Sequence, residues 1–172
     1  MKKIKKLTLA GILAASASAV LAVSSVVEVL DLSCAVFAGF AVVIAVVEIG
    51  GGYPFAVYAA AGALSALVLP AKAPAVFFIC FFGFYPMLKA RFERLHTVVA
   101  WSLKVSAFNV FLLAGVFLTR KFMFIPDPPV LDVVVFLVGN AGFILYDILI
   151  TRLITLYLVK LRRLLGLRDY FK

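Results

Sequence analysis

Lysine and arginine residues are clustered along this chain, and the clusters alternate with long apolar blocks. The clusters lie before the first block, between the fourth and fifth, and after the sixth, and they hold twelve of the seventeen cations: Lys2, Lys3, Lys5, Lys6, Lys89, Arg91, Arg94, Lys160, Arg162, Arg163, Arg168 and Lys172. In membrane proteins, Lys and Arg accumulate in cytoplasmic loops. The pattern therefore predicts six passes through a membrane, with both termini in the cytoplasm.

The apolar content agrees with this interpretation. Of the 172 residues, 66% are hydrophobic, whereas soluble chains average roughly 45–50%. Blocks of about 20 apolar residues are long enough to cross a bilayer. We therefore expect an all-α integral membrane protein with one transmembrane domain over residues 1–172 and a bundle of six helices. Their expected positions are 7–27, 32–49, 53–69, 75–88, 98–118 and 130–159.

Glycine and proline separate several of these blocks. Gly50, Gly51 and Gly52 predict a turn after the second helix, and Pro54 suits the first turn of the third. Pro86 is expected either to kink or to end the fourth helix. The basic start MKKIKK and the following ASASA also resemble a signal peptide, but the apolar run exceeds the ~7–15 residues of that element. A retained first helix is therefore favoured.

The net charge of +9 raises the question of a nucleic-acid partner. The positions of the cations favour topology and contact with anionic lipid head groups as the explanation. We expect the lipid bilayer to be a partner and nucleic acid not to be one.

Ionisable residues also fall inside the apolar blocks, where each costs a few kcal/mol unless it is paired or hydrated. Glu48 with Lys104, Lys89 or Arg152 is predicted to form an internal ion pair, although a role in transport is the alternative. Among these residues, Asp147 lies nearest the midplane of the membrane, and Arg152 is near enough in sequence to bend toward it. Asp147 is the best single candidate for a functional charge, including that of a proton- or ion-coupled carrier.

Asn109, Asn140 and Tyr146 place polar groups in the outer half of the fifth and sixth helices. The two asparagines are positioned to face one another. One interpretation is a hydrogen-bonded helix pair; the other is a small-ligand pocket, which needs a few convergent polar groups in an apolar wall.

Small residues recur every four positions on the first helix. Ala10, Ala14 and Ser18 form one row, and Gly11 begins a second row beside it. Such faces let helix backbones approach closely in lipid. They serve either packing within this chain or docking of a partner membrane protein.

Signatures of enzymes are missing from the sequence. His96 is the only histidine, and no Ser/His/Asp set, acidic metal motif or phosphate-binding glycine loop is present. Cys34 and Cys80 lie in apolar runs and lack metal or redox spacing. We expect no catalytic residue, metal or cofactor.

The basic start followed by LTLAGILAA, together with EIGGGYPFAVYAAAGALSALVLP and FFGFYPMLKARFE, resembles the substrate-binding S components of energy-coupling factor transporters, or small bacterial membrane proteins of that general type. The resemblance implies that Ala10, Ala14 and Ser18, with Gly11 beside them, dock on a transmembrane coupling subunit that works with ATPase subunits. It also implies that a substrate binds near Asn109, Asn140 and Asp147, with Tyr146 close by.

The sequence therefore predicts a substrate-capture subunit of a vitamin-like nutrient transporter in the bacterial cytoplasmic membrane. Any ATP-driven step is expected to come from partner subunits. The alternative is a structural or regulatory membrane scaffold that binds no small molecule. A polar cavity in the outer half would favour capture, and solid packing there would favour the scaffold.

Overall fold

The computed structural model of this chain describes residues 3–24, 28–123 and 129–161. Of these residues, 90% are helical and none is in a strand, so the all-α class is confirmed. The α-helices are α1 (Lys3–Ser24), α2 (Asp31–Glu48), α3 (Tyr53–Val68), α4 (Ala73–Phe77), α5 (Tyr85–Phe92), α6 (Thr97–Met123) and α7 (Pro129–Leu156). A 3₁₀ turn covers Glu28–Leu30, and π-helical turns cover Phe78–Phe82 and Tyr157–Leu161.

Five stretches of the described chain are helical, long and apolar enough to cross a membrane. They are Lys3–Ser24, Asp31–Glu48, Ala73–Phe92, Thr97–Ala114 and Val133–Lys160. The sixth apolar helix, α3, is shorter, with 16 residues. Large apolar side chains face outward: Leu67 is 81% exposed and Leu137 69%. Soluble proteins rarely expose apolar surface on this scale, so the described chain has the make-up of a helical membrane protein.

The chain divides into two compact units, Met1–Arg94 and Leu95–Lys172. In the first unit, α1 packs against α2 and α3. The core between these helices is built mainly from small side chains, including Ala10, Ala14, Ala17, Ala35, Ala38, Ala45 and Ala61. Small residues allow close contact between helix backbones where lipid removes the usual apolar driving force. A single domain over residues 1–172 stays a prediction.

The turn between α2 and α3 depends on glycine. Gly50 and Gly51 both have φ of 64°, in the left-handed region that side chains with a Cβ rarely adopt. Pro54 then lies in the first turn of α3, where its missing N–H is not needed. The Lys6 ammonium donates a hydrogen bond to the Ile49 carbonyl at 3.4 Å, which ties the start of α1 to the end of α2.

The fourth apolar block differs from one continuous helix over 75–88. It consists of α4, the π-helical turn Phe78–Phe82, a turn at Gly83 and Phe84, and α5, and it reaches Phe92. Pro86 lies in the first turn of α5. Because Pro86 has no N–H to offer the Phe82 carbonyl, an unbroken α-helix cannot keep its full hydrogen-bond pattern here.

The second unit contains α6 and α7, with 27 and 28 residues. Both exceed the ~20 residues needed for one pass through a bilayer. Residues 25–27 of the predicted first helix lie outside the described residues. The same holds for the basic residues Lys2, Arg162, Arg163, Arg168 and Lys172.

Candidate functional site on the α6–α7 pair

Three side-chain contacts define how α6 and α7 pair. Lys104 meets Asp147, Phe108 stacks on Phe143, and Asn109 bonds Asn140. As the residue number increases along α6, the number of the contacting residue on α7 decreases, so the two helices run antiparallel. The contacts form a charged layer, an aromatic layer and an amide layer in succession along the pair.

The charged layer is a buried ion pair. The Lys104 ammonium donates to Oδ2 of Asp147 at 3.1 Å, and the two residues are only 4% and 3% exposed. The ammonium also lies over the Trp101 ring, 5.2 Å from its centroid, within the range of a cation–π contact. Lys104 is the eighth residue of α6, about 10 Å along the helix, so the pair lies well inside apolar segments.

This arrangement makes each charge depend on the other. A lone charge at membrane depth costs at least a few kcal/mol, and pairing is the usual way to hold one there. Replacing a buried ion pair with apolar residues of similar size is often neutral or stabilising, whereas removing one partner is strongly destabilising. Apolar side chains could therefore fill these positions at little cost, and the charges serve either to fix how the two helices pair or to contact a polar group.

The amide layer is a reciprocal pair. Asn109 Nδ2 donates to Asn140 Oδ1 at 3.1 Å, and Asn140 Nδ2 donates to Asn109 Oδ1 at 2.9 Å. Each amide gives a further hydrogen bond to its own helix, at the carbonyls of Val105 and Phe136. The hydrogen-bonded helix pair, one of the two arrangements open from the sequence, is therefore present. The amide oxygens retain capacity to accept further bonds.

The aromatic layer separates the two polar layers. The Phe108 and Phe143 rings stack with centroids 4.6 Å apart and planes 9° apart. Tyr146 is buried on α7 next to Asp147 in the chain. All four residues predicted to contact substrate therefore lie on one helix pair; two of them bond each other, and Asp147 bonds Lys104.

The residues predicted to form ion pairs are placed as follows. Lys89 is 2% exposed, and its ammonium lies 2.8 Å from the carboxylate of Glu93, the residue that follows α5. Lys104, one of the predicted partners of Glu48, pairs with Asp147. Glu48 is half-buried at the end of α2, and Arg152 is exposed on α7.

The docking residues predicted on α1 divide between its two sides. Ala10 and Ala14 are buried in the core of the first unit. Gly11 is exposed, and a Cβ added to it would meet no atom within 4 Å. Ser18 is half-buried and bonds the Ala14 carbonyl at 3.0 Å. Ala10 and Ala14 thus serve packing within the chain, which leaves the row Gly11, Ala15 and Ala19 exposed.

The pairing of Lys104 with Asp147, and the place of Trp101 above the ammonium, were missed by the sequence analysis. A signal for the ion pair was present. Once Asn109 is set against Asn140 on antiparallel helices, moving five residues back on α6 and seven forward on α7 reaches the two charges. The proximity of Trp101 follows from its spacing of three residues from Lys104, which places both on one helix face.

Over the described residues, no group of three or more His, Cys, Asp or Glu side chains is arranged to hold a metal ion. Comparisons of the chain with protein-family models, curated proteins and solved structures find no match. Its function is therefore inferred from its own residues.

Proposed function

We propose that this chain is a membrane-embedded capture subunit for uptake of a small, vitamin-like nutrient in a bacterial cytoplasmic membrane. The observation that supports this most directly is the buried Lys104–Asp147 pair. Intramembrane ionisable residues that pair with one another are typical of substrate and ion pathways. A role in handling a polar solute would account for two charges that core packing does not require.

In this proposal, the ligand contacts the polar layers of the α6–α7 pair. The Lys104 ammonium has three donors and the Asp147 carboxylate has several lone pairs, so each can engage a polar ligand as well as the other. The amide oxygens of Asn109 and Asn140 can accept hydrogen bonds from the same ligand. Tyr146 adds a hydroxyl on α7.

The proposal includes six passes with both termini in the cytoplasm. This topology places the basic clusters in the cytoplasm, where Lys and Arg accumulate in membrane proteins. The proposal also includes a transmembrane coupling subunit with ATPase subunits. These partners would dock on the exposed row of α1, and the chain itself would need no catalytic group.

Native mass spectrometry of the gently extracted protein tests the proposal. The wild type is expected to carry a bound small molecule. The double variant Lys104→Met/Asp147→Leu, which removes both charges together, is expected to stay folded and lose that mass. Arg152→Met, which removes an exposed cation from the same unit, is the matched control and should retain it. A wild type that carries no small molecule when extracted from cells grown in rich medium would contradict capture.

A structural or regulatory scaffold is the second candidate, and the Asn109–Asn140 pair favours it. Both N–H groups of each amide are engaged within the helix pair, as expected where polar residues serve helix association. The same experiment separates the two functions. A scaffold would be extracted with a protein partner and no small molecule, and the double variant would leave that association unchanged.

A further inference from the structure

The fourth membrane segment is interrupted in the middle, between α4 and α5. The Gly83 N–H, which would bond the Ile79 carbonyl in a continuous α-helix, bonds the Phe78 carbonyl at 2.8 Å. The Phe84 N–H bonds the Phe81 carbonyl at 3.1 Å. The usual donor to Ile79 is therefore engaged elsewhere, and π-helical turns of this kind occur frequently at functional sites.

Tyr58 on α3 compensates for this change. Its hydroxyl donates to the Ile79 carbonyl at 2.8 Å. In lipid, a backbone carbonyl without a partner costs several kcal/mol, so a helix can be interrupted only where neighbouring groups satisfy it. A single side chain from another helix thus supplies the bond that the interrupted backbone does not.

The Tyr58 ring also contacts both ends of the interruption. Its centroid lies 5.9 Å from that of Phe78, the first residue after α4, and 6.0 Å from that of Phe84, the last residue before α5. A Cβ on Gly83 would lie 2.8 Å from Cδ2 of this ring, so the ring occupies space that only glycine leaves open. Tyr58 therefore holds α4 and α5 in one arrangement through a hydrogen bond and through packing.

Glycine on α2 allows the broken backbone to approach a second helix. A Cβ on Gly39 would lie 2.5 Å from the Phe82 carbonyl oxygen, the carbonyl that Pro86 cannot bond. Bending at this point breaks fewer helical hydrogen bonds than bending within α2 or α3, because the local pattern has already changed.

From these contacts we propose that the π-helical turn and the Gly83–Phe84 turn form a hinge, and that Tyr58 is the latch that keeps it closed. When the Tyr58 hydroxyl releases Ile79, α5 swings relative to α4. The hinge belongs to the first unit and stands whether or not a ligand binds on α6 and α7.

Spin labels on the two halves of the segment test the hinge. Labels at Ala73 and Arg91, both exposed, would be introduced as cysteines in a Cys34→Ala/Cys80→Ala chain. A continuous α-helix would separate these backbone positions by about 27 Å. We expect one narrow distance distribution for this chain and a second, shifted population when Tyr58→Phe is added. Tyr53→Phe is the matched control, because Tyr53 lies on the same helix with its ring facing Lys6, and it should leave the distribution narrow.

An unchanged distribution in a folded Tyr58→Phe chain would overturn the proposal. If that variant fails to fold, amide hydrogen exchange of the wild type in lipid nanodiscs decides. We expect the amides of Gly83 and Phe84 to exchange about tenfold faster or more than those of Val42 and Ala61, in the middle of α2 and α3, because hinge opening exposes them before global unfolding. Equal protection of the two sets would overturn the latch and hinge together.

Discussion

Lys104 and Asp147 show how the same side chain can be costly alone and tolerable in a pair. Both are almost fully buried, and the distance between ammonium and carboxylate is 3.1 Å. The attraction between the two opposite charges offsets the cost of removing each of them from water. This coupling gives a prediction for stability that is separate from any ligand.

Removing one charge should destabilise the protein much more than removing both. We expect Asp147→Leu to lower the free energy of unfolding by about 3–5 kcal/mol, because it leaves the Lys104 charge buried without its carboxylate. The double variant Lys104→Met/Asp147→Leu should be roughly neutral. Loss of helical circular dichroism during titration of mixed micelles with dodecyl sulfate measures both. A double variant as unstable as Asp147→Leu would contradict the coupling.

Gly50 tests the role of backbone conformation at a single residue. Its φ of 64° is one that an L side chain adopts at a cost of roughly 1–2 kcal/mol. Gly50→Ala should therefore reduce the free energy of unfolding by about that amount, measured in the same titration.

Gly52 provides the control in the same turn. Its φ is −87°, and a Cβ added there would meet nothing within 4 Å. Gly52→Ala should leave stability unchanged or raise it slightly, because alanine has less freedom in the unfolded chain. Equal losses for the two variants would mean that the left-handed conformation is not what the turn requires.

At the scale of elements, the helical class and the turn after α2 could be predicted from the sequence. Apolar blocks determine where lipid-compatible helices form. Gly50 to Gly52, followed by Pro54, mark where the second helix ends and the third begins. The interruption in the fourth segment could be predicted only in part. Pro86 indicated a disturbance, but the π-helical turn also depends on Tyr58 and Gly39 from other helices, and no local pattern encodes those contacts.

The candidate site was predictable to a similar degree. Asn109, Asn140 and Asp147 stood out because polar side chains are rare in apolar helices. The partner of Asp147 depends on the antiparallel register of α6 and α7, which single positions do not specify. The sequence also does not determine which row of small residues on α1 is buried, since both rows have the same spacing.

The two sides of α1 differ in how they should respond to added volume. Ala14 is buried between helices and Ala15 is exposed. We expect Ala14→Leu to destabilise the first unit by about 1–3 kcal/mol, because extra methylenes in a packed core force side chains and backbone apart.

Ala15→Leu should leave stability unchanged and serves as the matched control. If the exposed row of α1 binds a coupling subunit, this variant should also lose that subunit during purification. Thermal unfolding in detergent measures the first effect and subunit content the second. A stable Ala14→Leu chain would contradict the packing role of Ala14.

At the scale of the whole molecule, the distribution of cations is the main source of the predicted topology. Arg94 belongs to a basic cluster predicted to face the cytoplasm. Ala73 lies between the third and fourth apolar blocks, which six passes from a cytoplasmic N-terminus place on the outer side. Both are exposed in the structure, so both are suitable for labelling.

In a Cys34→Ala/Cys80→Ala chain, Ala73→Cys should react with a membrane-impermeant maleimide in intact cells. Arg94→Cys should react only after the cells are permeabilised. Mass shift on a gel measures the labelled fraction. The opposite pattern would invert the orientation and place the basic clusters outside.

The length of α3 has a consequence for the surrounding lipid. Its 16 residues extend about 24 Å, whereas the hydrocarbon layer is about 30 Å thick. If α3 crosses the membrane, as the predicted six-pass topology requires, acyl chains beside this helix must shorten or splay to keep its ends hydrated. The protein would then deform the bilayer locally, and membranes of smaller thickness would accommodate it at a lower elastic cost.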